Sequence, residues 1–158
     1  MAEERVTTIL AAMDGAWERE NWHLPLWPAL EGLDAAGASW RPAPGAFSVA
    51  QYVQHVAFWK AAALRRLTDQ PPLPEEGRDN ALTFGTPALD DEAWTALRQT
   101  LQATHAALRS YATMLTDADL EGDGARVESV LLGVAGHDGY HAGEIALTRK
   151  LQGSWPPA

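Results

Sequence analysis

Apolar side chains recur at helical spacing in four long stretches of the chain, and no stretch alternates convincingly as a half-buried strand would. The first stretch predicts a helix over residues 3–33, kinked or ended at Pro25 and Pro28 because proline interrupts helical hydrogen bonding. Glu20 falls on the apolar stripe of this helix. A carboxylate there is costly unless paired, so we expect it to reach solvent at the edge of the stripe or to bind a buried partner near a metal.

A second helix is predicted for residues 48–68, and it has a strong start signal. Ser48 followed three positions later by Gln51 forms a capping-box sequence, and Phe47 is placed to act as a hydrophobic staple. The following residues, 68–90, are rich in proline and glycine and predict a long irregular crossover. Connections of this length inside a compact domain are functional lids or span the length of a bundle, and spanning is sufficient here.

The third helix is predicted for residues 91–115 and the fourth for residues 126–151, with a turn at residues 117–124 between them. His105 lies beside the apolar stripe of the third helix, and we interpret it as a structural or surface histidine. The pattern predicts an all-α fold, namely a four-helix bundle with a long crossover between helices 2 and 3. At 158 residues the chain is predicted to form a single domain over residues 1–158.

Glycine is unusually frequent inside the fourth predicted helix. Each glycine in a helix interior costs about 1 kcal/mol relative to alanine. We expect this cost to be offset by the close approach of a neighbouring helix, which leaves room for Tyr140 and the nearby histidines. The glycines concerned are Gly133, Gly136, Gly139 and Gly143.

Composition and charge exclude several classes of function. Lys and Arg total 12 against 21 Asp and Glu, a net charge of -9 without a basic cluster, so we expect no nucleic-acid partner. Cysteine is absent, which removes disulfides and thiol catalysis by the protein itself and fits a reducing compartment. Residues 1–5 lack the apolar core of a signal peptide, and no apolar run approaches the roughly 20 residues that span a bilayer. We therefore expect a soluble cytoplasmic protein with no membrane partner.

Three histidines are candidate metal ligands. His137 and His141 are four residues apart in the fourth predicted helix, so both imidazoles lie on one face, one turn apart. His55 lies on an apolar face of the second predicted helix, near Trp59, and two inward faces can meet. Three neutral nitrogen ligands with a fourth position open is the arrangement of catalytic zinc sites. A histidine on an apolar face is more often a hydrogen-bonded core residue, so the spacing alone leaves both interpretations open.

Two carboxylates lie close to the histidine pair in the sequence. Glu144 is within about 20° of the ligand face, where it would orient a ligand or act as a general base, and it is our candidate catalytic residue. A surface carboxylate is the alternative interpretation of Glu144. Asp138 is turned about 100° away from His137 and is a poor candidate for a ligand. The chain has no His-Glu-x-x-His sequence, which excludes a zincin.

Two segments taken together resemble a known family. Residues 40–55 read WRPAPGAFSVAQYVQH and residues 137–145 read HDGYHAGEI. In this order they are similar to the DinB-like (DinB/YfiT-like) superfamily of metal-dependent enzymes, over nearly the whole chain. The resemblance implies a four-helix bundle with one long crossover and a divalent metal ion held by His55, His137 and His141. The family often has glutamine after its paired histidines, where this chain has Glu144.

The same resemblance implies classes of activity, because members with assigned activities include thiol-dependent transferases and an isomerase that use mycothiol or bacillithiol. We therefore expect a metal-dependent thiol S-transferase or isomerase that takes a small-molecule substrate and a low-molecular-weight thiol. A metal-dependent hydrolase and a noncatalytic metal- or ligand-binding stress protein are the alternatives. Three imidazoles suit several divalent metals, of which we favour zinc or nickel. A homodimer is compatible with the sequence only on the general ground that two-fold homodimers are the commonest oligomers.

Overall fold

The computed structural model describes residues 4–157, and all regular structure within that range is helical. Four helices are long and two are short. They are α1 (Glu4–Trp17), α2 (Leu26–Ala29), α3 (Ala35–Ser39), α4 (Val49–Leu67), α5 (Asp91–Thr113) and α6 (Ala125–Gln152). Short 3-10 turns lie at Asn80–Phe84, Asp117–Leu120 and Gly122–Gly124. The predicted all-α fold is therefore confirmed, and no helix within residues 4–157 is long and apolar enough to cross a membrane.

The first predicted helix is wrong in its extent. Residue 3 lies outside the described residues, and α1 ends at Trp17, well before Pro25, after which the chain forms the short helices α2 and α3. The physical reason is the exposed, polar run at residues 18–21, which offers no apolar face for a helix to bury. Glu20 lies in this run and is exposed. Its carboxylate therefore reaches solvent, which was the first of the two alternatives expected from the sequence.

The start of α4 has the predicted capping box. The Gln51 N–H donates to Ser48 Oγ (3.2 Å), and the Ser48 N–H donates to Gln51 Oε1 (3.1 Å). The Phe47 ring meets the Tyr52 ring edge-on, with their centres 5.9 Å apart, which is the expected staple. Ser48 Oγ also donates to the carbonyl of Pro87 (2.8 Å), so the same side chain ties the end of the long connection to the start of α4.

Replacement of Ser48 by alanine is expected to lower the free energy of unfolding by about 1 kcal/mol, within a range of about 0.5–2. The variant loses the acceptor for the Gln51 N–H and the hydrogen bond to Pro87. Urea denaturation followed by circular dichroism measures the change. Ser110→Ala, at an exposed position inside α5, is the matched control and is expected to have little effect. Equal stability of Ser48→Ala and wild type would contradict this role of the cap.

The core consists of two apolar clusters separated by a buried polar layer. One cluster includes α2, α3 and the first half of α4, and the other includes α1 and the first part of α6. Three polar residues lie between members of the two clusters, one on each of three helices. They are Lys60 on α4, His105 on α5 and Asp138 on α6, and all three are buried. Helix α4 packs on both α5 and α6, which brings this layer together.

The glycines of α6 do not mark a close approach of another helix, so that prediction is wrong. A Cβ atom added at Gly133, Gly136 or Gly143 would meet nothing within 4 Å. At Gly139 it would lie 3.0 Å from the imidazole of His23, which is a side chain and not a helix backbone. Tyr140, for which the glycines were expected to leave room, is 66% exposed. Gly133, Gly136 and Gly143 are exposed, so no packed neighbour occupies the space beside them.

Candidate metal centre

Helices α4 and α6 bring the three candidate ligands together. His137 Nε2 lies 3.1 Å from His55 Nε2 and 3.0 Å from His141 Nε2. One nitrogen from each ring lies within 4.8 Å of the other two. His55 and His141 are buried and His137 is half-buried. The structure therefore places all three imidazoles around one point, with their Nε2 atoms facing each other.

The tautomer of His55 follows from its neighbour in the long connection. The hydroxyl of Thr83 donates to the carbonyl of Asn80 (2.7 Å), so its oxygen is left to accept from His55 Nδ1, which is 2.6 Å away. A neutral imidazole that carries its proton on Nδ1 has a lone pair on Nε2. His55 thus presents a lone pair to the centre of the cluster.

Glu144 sets the tautomer of His141 in the same way. Its Oε2 atom lies 2.7 Å from His141 Nδ1, and a carboxylate accepts a hydrogen bond from that nitrogen. The remaining nitrogen, Nε2, then has a free lone pair that faces His137. A carboxylate behind a histidine is the partner that metal-ligating histidines ordinarily have. Glu144 is consequently hydrogen-bonded to His141 and is not a free surface carboxylate.

All three imidazoles are neutral at neutral pH. Burial, reinforced by the neighbouring rings, lowers the pKa of His55 to about 4. Burial, together with electrostatic repulsion from His141 and Lys60, lowers the pKa of His137 to about 4, and burial lowers the pKa of His141 to about 4. The His141–Glu144 contact is therefore a hydrogen bond from a neutral ring. Burial also raises the pKa of Glu144.

The donor set fits a divalent metal ion. Zinc lies about 2.0–2.1 Å from each histidine nitrogen, so ligands at the corners of a tetrahedron are roughly 3.4 Å apart. The separations of 3.0 and 3.1 Å are slightly shorter and need only a small outward movement of the rings. In addition, His55 Nε2 and His141 Nε2 both direct a lone pair at His137 Nε2, and a single N–H on that atom can donate to only one of them. A cation among the three nitrogens removes this conflict.

The long connection contributes directly to the site. Its 3-10 turn at Asn80–Phe84 supplies Thr83 and also Phe84, whose ring stacks on the His55 imidazole with centres 4.0 Å apart. The Phe47 ring stacks on the other side of Phe84, also at 4.0 Å. Sequence reasoning missed both Thr83 and Phe84. The unusual length of the connection was the one available signal, and it was interpreted as spanning alone.

Two cavities adjoin the histidines. The first, which we call the Arg66 cavity, has a volume of about 460 Å³ and extends from His55 and His137 between α4 and α6 to Arg66. The second, which we call the Glu144 cavity, has a volume of about 540 Å³ and is lined by all three histidines and by Glu144. Both volumes lie in the range of sites for small molecules. A ligand in either cavity lies beside His55 and His137.

A buried ion pair lies next to the cluster, and the sequence analysis missed it. The Lys60 ammonium donates to Asp138 Oδ2 (2.6 Å) and lies 3.2 Å from His105 Nδ1, and Trp17 stacks on His105 at 4.0 Å. Asp138 thus points to Lys60, in agreement with its low rank as a ligand. His105 is buried, so it is a structural rather than a surface residue. Burial and Lys60 lower its pKa to about 3, which leaves Nδ1 free to accept.

The ion pair is shielded from solvent. The side chains of Lys60 and Asp138 are each 1% exposed. Burial lowers the pKa of Lys60 and raises that of Asp138, and the attraction between the two groups opposes both changes. Asp138 Oδ1 has no hydrogen-bond partner within the described residues. A lysine on the apolar face of α4 was the sequence signal for this pair.

Comparison with known proteins agrees with the geometry. The sequence profile of the DinB superfamily matches residues 20–145, which include His55, His137, His141 and Glu144. No curated protein and no solved structure matches the chain. The family match covers most of the chain, from the segment after α1 into α6. On this match, and with the three histidines gathered at one point, the chain belongs to the DinB superfamily.

Proposed function

We propose that this protein is a divalent-metal-dependent enzyme of the thiol S-transferase or isomerase type. The observation that carries the proposal is the convergence of three neutral imidazoles, two of them with assigned inward lone pairs, beside two cavities. His55, His137 and His141 would hold the metal. A divalent metal held there would favour the deprotonated form of a thiol or water bound to it.

The chain itself must obtain its thiol from a small molecule, because it contains no cysteine. Two cavities at one centre suit a reaction of two molecules, a thiol and an electrophile. In a transfer, the sulfur forms a bond to an electrophilic carbon, and the leaving group departs with the electron pair of its own bond. The thiol proton goes to Glu144 or to solvent. Glu144 suits this role because burial raises its pKa toward neutrality.

The test uses protein purified without a metal-affinity tag, loaded with zinc or nickel, and mixed with monochlorobimane and a thiol. Cysteine, glutathione, bacillithiol and mycothiol are compared. We expect conjugation above the uncatalysed rate that requires both metal and thiol and stops on chelation. Absence of conjugation with every thiol, by protein shown to contain metal, would contradict the proposal.

Two variants separate the roles of Glu144. In Glu144→Gln the amide oxygen still accepts from His141 Nδ1, so metal affinity is retained while turnover falls about 10²–10⁴-fold with the loss of the base. In Glu144→Ala the hydrogen bond to His141 is lost, and metal affinity falls about 10–100-fold. Equal turnover of Glu144→Gln and wild type would leave Glu144 with an orienting role alone.

A metal-dependent hydrolase is the second candidate, and the position of Glu144 favours it. A carboxylate that lines the same cavity as the histidines is placed to accept a proton from water as well as from a thiol. The same metal-loaded protein would then cleave esters or amides without thiol. Metal binding without turnover in either assay supports the third alternative, a noncatalytic binding protein.

A further inference from the structure

The Arg66 cavity is lined by cationic side chains, although the chain as a whole is acidic. The net charge of the protein is -9, yet two cationic residues and no acidic residue line this cavity within the described residues. The cations are Lys60 and Arg66. The Glu144 cavity differs, because it is lined by Glu144 and by no lysine or arginine. Lys60 is already paired with Asp138, so Arg66 is the cation of this cavity with hydrogen-bond donors left for an anionic group.

Arg66 is held in place but keeps donors free. Its Nη2 atom donates to Glu76 Oε1 (2.6 Å), and Glu76 Oε2 accepts from the Leu73 N–H (3.2 Å), so the carboxylate that anchors Arg66 is itself fixed. Within residues 4–157 this is the one hydrogen bond that the guanidinium donates. The side chain is 42% exposed. A guanidinium has five N–H donors in a planar fork that matches a carboxylate, and several of them remain for a ligand.

The walls between Arg66 and the histidines are mainly apolar. On the α4 side they include Trp59 and Ala63, and on the α6 side Val130 and Val134. Arg66 is eleven positions after His55 on α4, which places the two Cα atoms about 16 Å apart. The long arginine side chain covers part of that distance. The remaining space suits an apolar body with one anionic end.

Gly133 keeps this space open. It lines the Arg66 cavity on the α6 side, and a Cβ atom added there would meet nothing within 4 Å. No packing requirement of the fold therefore demands glycine at this position, although glycine costs about 1 kcal/mol relative to alanine in a helix. A larger side chain at Gly133 would project into or across the cavity.

We propose that the Arg66 cavity binds a small apolar carboxylate. Its carboxylate accepts hydrogen bonds from Arg66, its apolar body lies between Trp59 and Gly133, and its other end is directed toward His55 and His137. That this carboxylate is the electrophilic substrate rests on the proposed function. Its binding in the cavity does not, because Arg66, Trp59 and Gly133 are not candidate metal ligands.

The test is calorimetric titration of the metal-free full-length protein with two probes of one shape, naphthoate and its neutral amide, naphthamide. We expect naphthoate to bind, and Arg66→Gln to weaken that binding about 10-fold or more while it changes naphthamide binding little. Arg65→Gln is the matched control, because Arg65 is the preceding arginine and does not line the Arg66 cavity. We expect it to leave binding of both probes unchanged.

A second pair of variants tests the position of the apolar body. Gly133→Leu is expected to weaken the binding of both probes. Gly136→Leu lies one turn further along α6 and outside the cavity lining, so it is expected to leave the binding of both probes unchanged. Both positions have space for the added side chain, so both variants should fold. No binding of naphthoate to the wild type, or equal binding to wild type, Arg66→Gln and Gly133→Leu, would overturn the proposal. Because the protein is metal-free in this test, its outcome is independent of the thiol-transfer assay.

Discussion

Replacing His137 with alanine is expected to lower the affinity of the protein for zinc or nickel by at least about 100-fold while leaving its helix content unchanged. Loss of a hydrogen-bond partner behind a ligand already costs about 10–100-fold in metal affinity, and loss of the ligand itself should cost more. His137 Nε2 is also the atom that lies about 3 Å from both other Nε2 atoms. Calorimetric titration of tag-free protein measures the affinity.

His23→Ala is the matched control for this prediction. His23 is exposed and lies against Gly139 on the same helix α6, but it is not part of the three-histidine cluster. We expect its replacement to leave metal affinity unchanged. Undiminished affinity in His137→Ala, or an equal loss in His23→Ala, would contradict the assignment of the metal ligands.

Asp138→Ala is expected to lower the free energy of unfolding by about 3–5 kcal/mol. The side chain of Lys60 is 1% exposed and its ammonium donates to Asp138, so the variant leaves a buried charge without its counterion. Urea denaturation of metal-free protein measures the loss separately from metal binding. A change below about 1 kcal/mol would show that the pair does not stabilise the fold in this way.

A double variant, Lys60→Met with Asp138→Leu, tests whether the stability lost in Asp138→Ala comes from the unpaired buried ammonium or from lost packing. Replacing both members of a buried ion pair with apolar residues of similar size is often neutral or stabilising. We therefore expect the double variant to recover most of the stability that Asp138→Ala loses. If the double variant were as unstable as Asp138→Ala, the loss would come from packing rather than from the uncompensated ammonium.

Local rules were sufficient for much of the fold and for placing His137 and His141 on one helix face. The capping box at Ser48 and Gln51 depends on residues three positions apart, so it can be recognised without any knowledge of packing. The spacing of His137 and His141 places both rings on one face of any helix that contains them. The bounds of α4, α5 and α6 accordingly lie within two residues of the predicted ones.

Only the tertiary structure decided which residues distant in the chain form hydrogen bonds and ion pairs with each other. Thr83 sets the tautomer of His55 across 28 positions, and Lys60 pairs with Asp138 across 78. Neither separation follows from a helical repeat, because each depends on how the long connection and α6 pack against α4. The sequence by itself determined which side chains are able to bind a metal. The packing of α4 on α6 decided that the three imidazoles meet at one point, because only folding brings His55 next to His137 and His141 on α6.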